Sequence, residues 1–288
     1  MEFAVANRPG ALAVGPDGNV WYTELLPPRV GYLTTTGFST DFWTGFQAGD
    51  IAAGPDGNLW LTGQSIFKMT TAGAVQWTGV NLGTLGAAGI VTGPDGAIWF
   101  TEGGDYKIGR VTTDGSFQEY PLASGHEPWV IIVGPDGNLW FTEIDLMAQY
   151  IGRITTAGEI AEFMLAPSPT LVAAGLAVGG DGNIWFTAYD RFNQTNSKIG
   201  RIDVQGNMTL YDLPINNADP QGIAAAPDGH IWFVESGTDR IGRITSAGEI
   251  TEFQLPTRGA DLTSLVTGPD GRLWFAESSF STIGALEP

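Results

Sequence analysis

Five glutamates recur at one position of a repeated phrase: Glu24, Glu102, Glu143, Glu235 and Glu277, with Gly63 and Ala188 at the same place in two further copies. Each lies 14 residues after a second recurrent position, held by Gly10, Gly49, Ala88, Trp129, Ala174, Gln221 and Thr263. The constant interval predicts that both sets surround one opening. Carboxylates gathered in that way repel one another unless cations, hydrogen bonds or raised pKa values relieve them. One chemistry is a hard divalent cation, Mg²⁺ or Ca²⁺, taking carboxylate oxygens and acting as a Lewis acid. The other is structural, each Glu bonding a backbone N–H or one of the recurrent arginines Arg110, Arg153, Arg201 and Arg243.

Three copies carry a further acid two residues before the second position, namely Glu127, Asp219 and Asp261. Asp261 with Glu277 is the first candidate pair for a metal, and Glu127 with Glu143 and Asp219 with Glu235 are the alternatives. There are two histidines. His126, beside Glu127, is the candidate general base, whereas His230 falls in a Gly-containing turn and reads as solvated. Trp129 stands outside the regular tryptophan series, and two readings fit it: an aromatic platform for a ring-bearing ligand, or packing between repeats. The chain has no cysteine, which removes disulfides, thiolate metal sites and a Cys nucleophile.

Trp21, Trp60, Trp99, Trp140, Trp185, Trp232 and Trp274 each follow a Pro-Asp-Gly or Gly-Asp-Gly turn, with gaps of 39, 39, 41, 45, 47 and 42 residues. Periods of this length with strand-like content are the signature of propeller blades. The unit from Pro220 to Pro256 reads as four strands in an antiparallel meander, joined by tight turns in which Pro presets φ and Gly takes the left-handed place. The last unit, from near Asp261, lacks a fourth strand, while Glu2-Phe3 repeats the fourth-strand phrase of Glu162-Phe163 and Glu252-Phe253. The expected fold is therefore all-β: a single seven-bladed β-propeller of four-stranded antiparallel blades over residues 1–288. The N-terminal strand completes the C-terminal blade and leaves no open edge. Loops vary most at the blade ends, as at Tyr189 to Ser197.

A formal charge of −18, from 31 acids and 13 Lys plus Arg, argues against nucleic acid and anionic membrane as partners. No apolar run reaches the length of a membrane span. The expectation is a soluble monomer, cytoplasmic or secreted with its signal removed, that takes a small-molecule or peptidic ligand at the channel mouth.

The phrases Trp-Phe-Thr-Glu at 99–102, Lys-Ile-Gly-Arg-Val-Thr at 107–112, Arg-Ile-Gly-Arg-Ile-Thr at 240–245 and Gly-Glu-Ile-Thr-Glu-Phe at 248–253 resemble the virginiamycin B lyase (streptogramin B lyase) family along the whole chain. The resemblance implies a seven-bladed propeller and an antibiotic-resistance activity, elimination that linearises a cyclic depsipeptide. In that family a histidine removes the proton α to the ester carbonyl, and carboxylate-held Mg²⁺ stabilises the enolate. The metal acids of the last blade map onto Asp261 and Glu277. Thr263 stands where the catalytic histidine would be, and Gln221 where a substrate-binding histidine would be. The residues thus leave two functions: a lyase-like enzyme with a Mg²⁺-binding mouth, or a non-catalytic ligand- or protein-binding scaffold.

Overall fold

The computed structural model describes residues 1–83, 86–145, 149–165, 170–192 and 196–288. Residues 193–195 of the long loop in the fifth repeat lie outside that set. Seven four-stranded antiparallel sheets form a propeller ring, each sheet being one sequence repeat. In blade six the strands are Pro220–Ala225, Ile231–Glu235, Arg240–Ile244 and Ile250–Gln254, paired in chain order from the channel outward. The innermost strands adjoin one another all the way round, the first against the seventh.

Closure of the ring follows the sequence. Glu2–Ala4 pairs with Thr282–Leu286 in the register Glu2↔Gly284, Phe3↔Ile283, Ala4↔Thr282. The N-terminal ammonium donates to the Ala285 carbonyl (2.7 Å), and Phe3 stacks on Trp274 at 5.4 Å between ring centres.

Each second strand is apolar on both faces because it is sandwiched between neighbouring blades. All seven tryptophans of these strands are nearly inaccessible, and their burial would strand an indole N–H. The turn aspartate accepts it in every repeat: Asp17, Asp56, Asp95, Asp136, Asp181, Asp228 and Asp270 sit 2.8–3.1 Å from Nε1. That bond explains why the turn reads Pro-Asp-Gly and not merely Pro-x-Gly. The recurrent cations also serve this turn. Arg110 pairs with Asp95, Arg153 with Asp136 and Arg201 with Asp181, each guanidinium lying over the indole of its own blade. The arginines are therefore not the partners of the second-strand glutamates.

Threonines stitch one blade to the next. Thr62 Oγ1 accepts the Asp50 N–H at 2.7 Å and donates to the Ala88 carbonyl at 2.8 Å, and Thr23, Thr101 and Thr187 repeat the arrangement.

Candidate functional site

One end of the central channel opens into a cavity of about 720 Å³. Its wall holds all seven first-strand positions singled out by spacing, Gly10, Gly49, Ala88, Trp129, Ala174, Gln221 and Thr263, together with Glu127. In five blades the pairing of first and second strands slips at this place, between Pro9 and Leu12, Pro128 and Ile131, Ala173 and Leu176, Pro220 and Ile223, and Leu262 and Leu265. A bulge frees a residue from the ladder and re-aims its side chain, and here it turns Trp129, Gln221 and Thr263 toward the channel. Trp129 is 52% exposed within a wall of mostly small and aliphatic residues that also holds Asp50, Glu127 and Gln221. Gln221 Nε2 donates to Asp219 Oδ1 at 2.8 Å. Thr263 Oγ1 lies 3.2 Å from Ser278 Oγ, which donates to the Pro9 carbonyl at 2.6 Å.

The five second-strand glutamates do not form a ring around this mouth. They are buried inside the blades. Glu102 follows Phe100 by two residues and so shares its face. That face lies over the third-strand Gly109, where an added Cβ would fall 2.8 Å from Glu102 Oε1; at Gly152 it would fall 2.6 Å from Glu143 Oε1. Opposite that glycine, on the fourth strand, stands a second acid. The pairs are Glu24 with Asp41, Glu102 with Glu119, Glu143 with Glu162, Glu235 with Glu252, and Glu277 with Glu2 from the N-terminal strand. The two blades without the glutamate also lack the fourth-strand acid. Blade two has Gly63 with Phe67 in place of the glycine and Trp77 opposite; blade five has Ala188 with Leu210 opposite Gly200. Where both acids occur, burial and the like charge raise the second-strand carboxyl, Glu102 and Glu277 to about 7 and Glu143 to about 8, and Glu24 and Glu235 in the same direction. Burial and like charge thus favour the neutral form of these carboxyls.

The candidate metal acids are distributed accordingly. Both oxygens of Glu277 are buried without a hydrogen-bond partner, which leaves them free as donors to a cation. Its charged neighbours, however, are Glu2, the N-terminal amine and Asp239. Asp261 and Asp219 both adopt left-handed backbone, at φ 54° and 45°, and burial and the charge of Asp261 raise Asp219 against its hydrogen bond from Gln221. Asp261 is already paired with Arg8, whose Nη2 is 3.4 Å away. Among the described residues no group of three or more His, Asp or Glu is gathered as a metal site. Asp261 and Glu277 stand at adjoining strand ends, Leu262 pairing with Glu277 and the Asp261 carbonyl accepting the Ser278 N–H at 3.2 Å. Of the alternatives, Glu143 accepts from Ser124 at 3.1 Å, Glu235 from Thr238 at 2.6 Å, and Glu127 lies exposed on the cavity wall.

His126 is packed above blade four and does not line the cavity. Its ring stacks on Tyr150 at 4.7 Å, with Nδ1 3.4 Å from Glu143 and Nε2 3.9 Å from Asp145. His230 is in the turn at the other end of its blade, its N–H donating to Asp228 Oδ1 at 3.0 Å. One wall residue escaped the spacing argument: Asp50, just after a recurrent first-strand position, lines the cavity and is raised to about 6 by burial. Alignment of the seven copies would have marked it, since the equivalent places hold Ala11, Gly89, Val130, Gly175, Gly222 and Ser264.

Comparison with known proteins agrees with this architecture. The model of the virginiamycin B lyase family matches residues 44–288. Selenomethionine-substituted virginiamycin B lyase from Staphylococcus aureus superimposes with a TM-score of 0.89 at 31% identity, covering 100% of this chain and 98% of that one. A streptogramin B lyase structure gives 0.87 at 32% identity, with 99% and 97% covered. A catalytically inactive histidine-to-alanine variant of the S. aureus lyase with quinupristin gives 0.88 at 32%, with 100% and 98% covered. Among curated protein sequences there is no match.

Proposed function

The chain belongs to the virginiamycin B lyase family, and on that premise we propose that its channel mouth binds a compact peptidic or depsipeptide ligand without performing histidine-driven elimination on it. The observation carrying this reading is the cavity wall: Thr263 and Gln221 occupy it, while both histidines of the chain stand elsewhere. A threonine hydroxyl held near Ser278 and a neutral amide held by Asp219 can bond ligand carbonyls and N–H groups, but neither accepts a carbon-bound proton near neutral pH. The cavity volume suits a small ligand, and Trp129 offers a flat apolar face. Magnesium is proposed only as a competitor of Arg8 for Asp261, and no step depends on it.

Quinupristin, the compound in the structure of the S. aureus variant, is the probe. Calorimetry is expected to give saturable binding, weakened at least about tenfold by Trp129→Ala if the indole is a central contact. Mass spectrometry with chromatography then reads the chemistry, because elimination opens the ring at constant mass while hydrolysis adds a water. Recovery of unchanged ligand supports the binding reading. Ring opening by the wild-type protein would overturn it in favour of an enzyme.

A further inference from the structure

Asp50 is the charged residue among seven equivalent wall positions, and its charge exceeds what the ring requires. Oδ1 accepts the Ile51 N–H at 2.8 Å, and Oδ2 accepts the Ile90 N–H of the next blade at 3.1 Å. In blade seven the equivalent inter-blade bond is made by Ser264 Oγ, which accepts the Leu12 N–H at 3.2 Å. A neutral hydroxyl is therefore sufficient as a stitch. An ionised carboxyl in the same place carries a desolvation cost that its two N–H bonds offset only in part, burial raising its pKa. Each carboxylate oxygen accepts one N–H and keeps further lone-pair capacity.

The surroundings define what that capacity fits. The described wall residues include no Lys, Arg or His, and the other acid on the wall is Glu127. Trp129 presents an accessible indole on the same wall. Its backbone is tied to the blade that Asp50 also touches: Gly89 N–H donates to the Trp129 carbonyl at 3.0 Å, and the adjacent Ile90 N–H to Asp50. One inner strand, that of blade three, thus lies between the two residues on the cavity wall.

We propose that the cavity takes an organic ammonium ligand, its apolar or aromatic body against Trp129 and the small-residue wall and its cationic head hydrogen-bonded to Asp50. The inference rests on the ligand-binding reading of the channel and narrows it to basic ligands. Carboxylate–ammonium hydrogen bonds are stronger than neutral ones, and an indole face attracts a cation as well as an apolar ring.

The test compares phenylbutylamine with phenylbutanol, matched in body and differing in the head group, by calorimetry on the full chain. At about pH 8 the wild type is expected to bind the amine about tenfold more tightly than the alcohol, the usual scale of a hydrogen bond to a charged group. Asp50→Asn should bring that ratio close to one. Asp50→Ser, which copies the Ser264 stitch, is a second variant in case the first does not fold. In the wild type alone, acidification through about 6 protonates Asp50 and should weaken the amine while leaving the alcohol unchanged. Glu127→Gln separates the contribution of the other wall acid. Equal binding of the two probes, binding of neither, or a preference retained in both Asp50 variants overturns the proposal. Quinupristin bound equally by wild type and Asp50→Ser would leave the channel reading intact while removing the cation selectivity.

Discussion

Replacing Glu102 by Gln should stabilise the protein above neutrality and leave it unchanged in acid. Glu102 is 1% exposed and lies against Glu119, and burial followed by that charge pushes its carboxyl from an ordinary 4.5 to about 7. Because the folded pKa is the higher one, the neutral carboxyl is the form the fold prefers. Its contribution is fully present below about 4.5 and is lost as the pH rises through about 7. At about 1.4 kcal/mol per pKa unit, the wild type carries a penalty on the order of 3 kcal/mol by pH 8. Glutamine keeps the size, stays neutral throughout and can donate to Glu119. With unfolding entropy near 2 cal/mol/K per residue, the expected rise in Tm at about pH 8 is roughly 5 °C, shrinking to nothing near pH 4.5. Thermal unfolding followed by circular dichroism across that range reads the difference. Parallel curves for wild type and variant, or a variant less stable at pH 8, would refute the account in which burial and Glu119 raise Glu102.

Deleting residues 1–8 removes Phe3 from Trp274 and the buried Val5, and should lower Tm by about 5 °C, on the order of 3 kcal/mol of lost burial; an unchanged melting curve would contradict closure by this strand. Magnesium at millimolar concentration is expected to raise Tm more in Arg8→Ala, where Asp261 is released, than in the wild type, by roughly 1 kcal/mol at ten times the dissociation constant. Equal shifts in the two proteins would dismiss Arg8 as a competitor.

The blade architecture is legible because a buried tryptophan, its aspartate acceptor and the turn glycine must keep fixed spacing, and that spacing survives in seven copies. Closure is legible for the same reason, since Glu2-Phe3 repeats the fourth-strand phrase. The 14-residue interval also locates the channel wall. It does not give the direction of the glutamates, because an interval along the chain fixes height in the ring and not the face of the strand. The face was written elsewhere: period-two alternation puts Glu102 with Phe100, over a glycine that leaves room for it. The joint loss of both acids at Gly63 and Trp77, and at Ala188 and Leu210, is a correlation between repeats within one sequence, readable only once the strand register is known. His126 could not be placed because its partners Glu143 and Tyr150 come from other strands of its blade.

The seventh sheet alone draws its strands from both ends of the chain, joining Phe3 to Ile283, and this makes its assembly unlike that of the others. The first six blades fold from neighbouring sequence. The seventh must close a loop of nearly the whole polypeptide, an entropic cost on the order of 5 kcal/mol. Glu2 and Glu277 are brought together only when the two ends of this sequence pair. Glu277, buried in that blade and raised by burial and then by Glu2, therefore titrates in a way that depends on the N-terminal strand being in place.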